Sequence, residues 1–204
     1  MQEAVITRCS GMPDWEKIPL LNICHGLTDE KTDVQAKAQI AYDDRALYLH
    51  LSAVESEIRA VQEGLLGNPC EDSCLEFFFC PREGDLRYFN FEYNPKACLY
   101  LGFAGSIETL TRLLPDQDDE NANTFAPEVR YTADGWEISY QIPYTFIHRF
   151  YPEFSPASGK TMRANFYKCA ELTTAPHFHC WNPLTREGRC LFHTPEEFGL
   201  LRFE

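Results

Sequence analysis

Two short runs hold most of the side chains able to do chemistry. Asp72-Ser73-Cys74-Leu75-Glu76-Phe77-Phe78-Phe79 and Tyr88-Phe89-Asn90-Phe91-Glu92-Tyr93-Asn94 set carboxylates, amides and a phenol into an otherwise aromatic pattern. Successive side chains of an extended chain point to opposite sides. Phe89, Phe91 and Tyr93 therefore share one face, expected to be core, and Tyr88, Asn90, Glu92 and Asn94 share the other, expected to be open to solvent. Fixed-geometry donors and acceptors on an open face suit a neutral, hydroxyl-rich ligand, for which a sugar is the obvious candidate. Glu76 falls among Cys74, Phe78 and Cys80, a setting that requires it to be paired, protonated or functional. Arg163 and Asn165 alternate with Ala164 and Phe166. They either join Asn90 and Glu92 against a ligand or form a buried network in which Arg163 pairs with Glu92 or Glu76, since buried charges need partners. Trp181, between His179-Cys180 and Asn182-Pro183, is either a stacking platform or a plug at the edge of the fold.

Other chemistries draw on fewer residues. Glycoside hydrolysis needs two carboxylates roughly 5 to 10 Å apart, which Glu76 and Glu92 on adjacent strands would provide, but neither lies in an acid or nucleophile motif. There is no Gly-x-Ser-x-Gly elbow for a nucleophilic serine. His177, His179, Cys180, Cys190 and His193 are soft metal ligands within seventeen residues. Their spacing matches no zinc finger or ribbon and includes no Cys-x-x-Cys pair. Non-catalytic binding therefore ranks first, with a glycoside-processing enzyme and a metal-stabilised structural domain as alternatives, and no residue is assigned as catalytic or as a metal ligand.

Charge and termini narrow the partners. A net charge of −13 argues against nucleic acid, whose phosphates are met by clustered Lys and Arg, and against anionic membranes. The start, Met1-Gln2-Glu3-Ala4-Val5-Ile6, has no basic region followed by an apolar run, and nowhere are eighteen apolar residues consecutive. A cytoplasmic location is the expectation, or secretion if a leader was removed. Nine scattered cysteines, an odd number, cannot all pair within one chain, so most are expected to be reduced and buried.

The elements that must position these groups are short strands. Val34, Ala36, Ala38, Ile40 and Tyr42 alternate with polar residues, and after Asp43-Asp44-Arg45 the alternation resumes at Leu47, Leu49 and Leu51, predicting a hairpin over 34–54. Residues 55–66 are expected to form a short helix. Strands are predicted at 72–79, 88–94 and 98–103, and Asp134-Gly135 turns 128–131 into 136–142, with Pro143 ending the strand. One helical turn at 144–151, a strand at 161–168, a long irregular loop from Cys169 to about Arg189 and a last strand near the C-terminus complete the pattern. The acidic run 115–121 reads as a solvated loop, with a calcium site as the sharper alternative. Many short strands with few helices predict a single all-β domain over 1–204, a two-sheet antiparallel β-sandwich.

The order of these motifs, with Trp136 through Pro143, Arg163-Ala164-Asn165-Phe166-Tyr167-Lys168, Trp181-Asn182-Pro183, Phe192-His193-Thr194-Pro195 and Phe198-Gly199, resembles the carbohydrate-binding module family 9-like proteins over nearly the whole chain. The resemblance implies an immunoglobulin-like or jelly-roll sandwich that binds sugars, often carries structural calcium and commonly serves a glycoside hydrolase in polysaccharide catabolism. It also implies a sugar ring clamped between two tryptophans and hydrogen-bonded by carboxylate, amide and guanidinium groups. Trp181 and Glu76 match that pattern, and Tyr88, Asn90, Glu92, Asn94, Arg163 and Asn165 complete the expected ligand-binding set. The second clamp is missing, because Gly67-Asn68-Pro69-Cys70-Glu71 has no aromatic. Phe178 or Tyr100 would have to replace it.

Overall fold

The computed structural model describes residues 1–27, 32–114, 124–185 and 191–204. The acidic run 115–121 and Cys190 lie outside them. Fourteen strands follow in chain order: β1 (Glu3–Arg8), β2 (Leu21–Ile23), β3 (His25–Gly26), β4 (Gln35–Tyr42), β5 (Ala46–Val54), β6 (Cys74–Cys80), β7 (Tyr88–Tyr93), β8 (Leu99–Ala104), β9 (Thr111–Arg112), β10 (Glu128–Tyr131), β11 (Gly135–Pro143), β12 (Thr161–Ala170), β13 (His177–Cys180) and β14 (Gly199–Phe203). One helical turn, α1 (Tyr144–Ile147), follows Pro143 as expected. None of the helices is long and apolar enough to cross a membrane.

The strands form one hydrogen-bonded path, β10-β11-β5-β4-β1-β14-β12-β6-β7-β8-β9, with β2 on β4, β13 on β12 and β3 on β13. β1 is the joint. Its first half runs parallel to β14, Glu3 opposite Leu200 through Ile6 opposite Phe203, and its end runs parallel to β4 at Thr7 and Arg8. The sheet curls so that its two arms face one another: the Tyr140 ring of β11 lies 4.9 Å from that of Tyr93 and 6.1 Å from that of Phe91, both on β7. The all-β expectation holds, but one strongly curled mixed sheet stands where two separate antiparallel sheets were expected. The β1–β14 join depends on pairing the first residues with the last, which no local pattern announces.

The space between the arms is filled by aromatics. Phe77 stacks on Phe166 at 4.8 Å, and Trp136, Phe79, Phe89 and Phe91 are fully buried beside them. Each such ring contributes roughly 1.5 to 3 kcal/mol by burial. Lys168, on the same inward face of β12, is also fully buried. Its Nζ donates to Cys169 O at 3.0 Å and pairs with Glu55 Oε2 at 2.9 Å, while Glu55 Oε1 accepts Trp136 Nε1–H at 2.7 Å.

Two local expectations change. Residues 55–66 are not helical, because Asp72 Oδ2 accepts the amides of Val61 and Gln62, and Ser73 Oγ that of Arg59. Side-chain acceptors compete successfully with helical carbonyls here. The late loop also contains β13, held by pairing with β12 from Tyr167–Cys180 to Ala170–His177.

Candidate functional site

Register sorts the outer face of the sheet into rows, since residues directly opposite one another share a face. Cys180 on β13 pairs with Tyr167, Tyr167 with Glu76, Glu76 with Glu92 and Glu92 with Tyr100, making one row across five strands. On one side runs Asn165–Phe78–Asn90–Gly102, and on the other Phe178–Cys169–Cys74. Alternation therefore brings Glu76, Asn90, Glu92 and Asn165 together on one face as expected.

That face is not open. Every residue of β6 and β7 is buried on both sides. Over the Tyr88 end, Phe192, His193 and Phe198 fold down: Phe192 stacks on Tyr167 at 4.0 Å, and Phe198 meets Tyr88 at 5.8 Å. Tyr88 Oη lies 2.7 Å from His193 Nδ1, and burial holds the His193 pKa down to about 4. The alternation of a strand identifies its faces but carries no record of what the chain lays over them 100 residues later.

Several expected ligand contacts instead hold the fold together. Trp181 is 2 % exposed, packed in the core edge-on to Phe166 at 6.0 Å. A Cβ on Gly199 would come within 2.5 Å of its ring, so the glycine is needed for this close approach. Of the two readings of Trp181, the plug is the one seen, and the indole offers no face to a ligand. Asn94 Oδ1 accepts the turn amides of Lys96 and Cys98, and its Nδ2 donates to Asp72 Oδ2 and Gln62 O. Asn165 exchanges hydrogen bonds with Asn182 N and O. Arg163 does not pair with Glu76 or Glu92; its Nη1 donates to the carbonyls of Glu196 and Phe198, each at 3.3 Å.

The centre of the face is different. Glu76 and Glu92 stand opposite one another with no buried cation between them among the described residues. Glu92 Oε1 accepts Asn90 Nδ2–H at 2.6 Å, and Glu76 Oε1 accepts the Cys169 thiol at 3.0 Å. Glu76 Oε2 and Asn90 Oδ1 have no hydrogen-bond partner among the described residues. Burial pushes the Glu76 carboxyl up, and burial with the neighbouring Glu76 charge pushes Glu92 well up. At its β8 edge the row reaches half-buried Tyr100, whose ring carries the Arg112 guanidinium at 4.5 Å. Half-buried Cys70 and exposed Glu171, joined by Glu171 N–H to Cys70 O at 3.0 Å, border the same carboxylates. Arg112, Cys70 and Glu171 lie in a two-residue strand and in loops, so no periodicity marks them. The histidine and cysteine set weighed for zinc does not converge: His193 bonds Tyr88, whereas His177 Nε2 lies 3.9 Å from Glu55.

Comparison with known proteins places this arrangement. The sequence model of carbohydrate-binding family 9 matches residues 31–203. A candidate carbohydrate-binding protein from Bacteroides uniformis is 28 % identical, with a TM-score of 0.82 over 100 % of this chain and 99 % of its own. A family 9 module from Caldicellulosiruptor kristjanssonii bound to cellotriose is 14 % identical, with a TM-score of 0.67 over 100 % and 94 %. A family 9 module of that organism bound to glucose is 15 % identical, with a TM-score of 0.66 over 100 % and 96 %. No curated protein sequence matches.

Proposed function

The chain belongs to carbohydrate-binding family 9, and from that premise we propose that it binds a mono- or oligosaccharide, without catalysis, where the Glu76–Glu92 row reaches Tyr100. The observation that carries the location is the contrast within one face: Asn94, Asn165 and Tyr88 are consumed by the fold, whereas Glu76 and Asn90 keep unpartnered acceptor atoms. A sugar hydroxyl donates to such acceptors. Tyr100 supplies the apolar edge against which the C–H face of a sugar packs, and Arg112 supplies the guanidinium. Hydrolysis is disfavoured because burial drives both carboxyls toward the neutral form, against the ionised partner that either glycosidase mechanism needs.

The same reading makes a glycoside hydrolase the natural partner and polysaccharide breakdown the setting. Structural calcium, which the family resemblance implies, needs hard oxygen donors. The close-set group of potential ligands among the described residues includes two thiols and does not suit it.

Titration calorimetry over a panel including glucose and cello-oligosaccharides tests the reading. At least one member should bind. Tyr100→Ala and Glu92→Gln should each weaken it about tenfold, equivalent to about 1.4 kcal/mol. No binding across the panel, or binding indifferent to both substitutions, would refute it.

A further inference from the structure

We propose that Cys74, Glu76 and Cys169 form a buried site for a zinc-class divalent ion beneath the sugar-binding edge. This site goes beyond the carbohydrate reading and does not depend on it. Cys74 and Cys169 are register partners on β6 and β12, and Glu76 lies two residues beyond Cys74, so all three side chains leave the sheet on one face. A ligand atom from each lies within 4.8 Å of the other two, and all three residues are buried. A tetrahedral zinc with bonds near 2.0 to 2.3 Å spaces its donors roughly 3.5 to 3.8 Å apart. The Cys169 Sγ–Glu76 Oε1 separation is already 3.0 Å, and no pair needs to close by more than about 1 Å, within reach of side-chain rotation.

A second observation points to a ligand. Glu76 Oε2 has no hydrogen-bond partner among the described residues although Glu76 is only 2 % exposed, and a buried orphan acceptor is costly. Three protein donors leave the fourth position of a tetrahedral ion to a water or an exogenous ligand. Without metal, burial raises the Cys74 thiol and pushes the Glu76 carboxyl up to about 7, and the Cys74 contact together with burial raises the Cys169 thiol. A divalent cation displaces those protons into solvent and converts desolvated acids into ligands. Two thiolates with a carboxylate select a borderline-soft ion over calcium or magnesium. Buried thiols serving only as small apolar fillers would not need a carboxylate among them.

The test is titration of metal-stripped, fully reduced protein with Co²⁺. One equivalent should bind, with a sulfur-to-cobalt charge-transfer band that Zn²⁺ abolishes. Cys74→Ser and Cys169→Ser should each remove the band or weaken binding at least tenfold, while Cys24→Ser, at an exposed position, should leave it unchanged. Because serine in the core can also unfold the chain, a second arm uses the unmodified protein: zinc should protect Cys74 and Cys169 from alkylation in mild denaturant but leave Cys80 and Cys98, also buried, unprotected. The proposal is overturned by absence of the band at saturating cobalt, by a band that survives both serine substitutions, or by equal protection of all four cysteines.

Discussion

Glu55 and Glu76 are withdrawn from water almost equally, 5 % and 2 % exposed, but the fold treats them in opposite ways. Glu55 meets the Lys168 ammonium and the Trp136 indole N–H, so both oxygens face donors and the charge has a counter-charge. Glu76 accepts a thiol on one oxygen and has no hydrogen-bond partner on the other among the described residues, and its cross-strand neighbour is a second carboxylate. The first arrangement is resolved within the chain. The second is left for protons, a metal ion or a sugar hydroxyl to resolve, and stability and binding should separate along this line.

The largest effect is expected on the resolved side. Lys168→Met leaves Glu55 charged and buried without its partner, which should cost about 3 to 5 kcal/mol, read from urea unfolding. A loss below about 1 kcal/mol would mean that the ion pair contributes nothing special. Trp181→Ala should lower stability by a comparable 3 to 5 kcal/mol, the usual cost of removing a buried indole. Tyr100→Ala should cost far less, because that ring is half exposed, and its effect should appear in sugar affinity.

The smallest effect is a pH dependence with an unusual sign. Glu76 and Glu92 have folded-state values raised above the ordinary 4.5. Their protonated forms therefore contribute stability that is fully present below about 4.5 and is lost as pH rises through the raised values. His193 runs the other way: its pKa falls from 6.5 to about 4, so its contribution is present above 6.5 and lost as pH falls toward 4. With a chelator present to exclude metal, stability should fall from pH 6 to 8, and the double change Glu76→Gln, Glu92→Gln should flatten that limb while leaving the acid limb intact. An unchanged alkaline limb would show that the two carboxyls are not held neutral.

The parts of the molecule legible in the sequence were the local ones. The hairpin over 34–54 appears as β4 and β5 with Asp43 closing the turn through the amides of Arg45 and Ala46, and the alternation in 72–79 and 88–94 placed Glu76, Asn90 and Glu92 on a common face. Features set by distant segments were not legible. The β1–β14 join, the cover of Phe192 and Phe198 over Tyr88, and the convergence of Cys169 on Glu76 each depend on partners about 75 residues or more away in the chain. Trp181 shows the same limit, since an isolated tryptophan in an irregular segment reads alike as platform or plug until Gly199 is seen beneath it.

Heteronuclear NMR titration with a saccharide ligand tests the central claim most directly, because it maps contact residue by residue without any substitution. The account predicts shifts concentrated at the amides of Glu76, Glu92, Tyr100 and Arg112, with the Trp181 indole resonance unmoved. Shifts centred on Trp181 and Asn94, with the Glu76–Glu92 row silent, would contradict it.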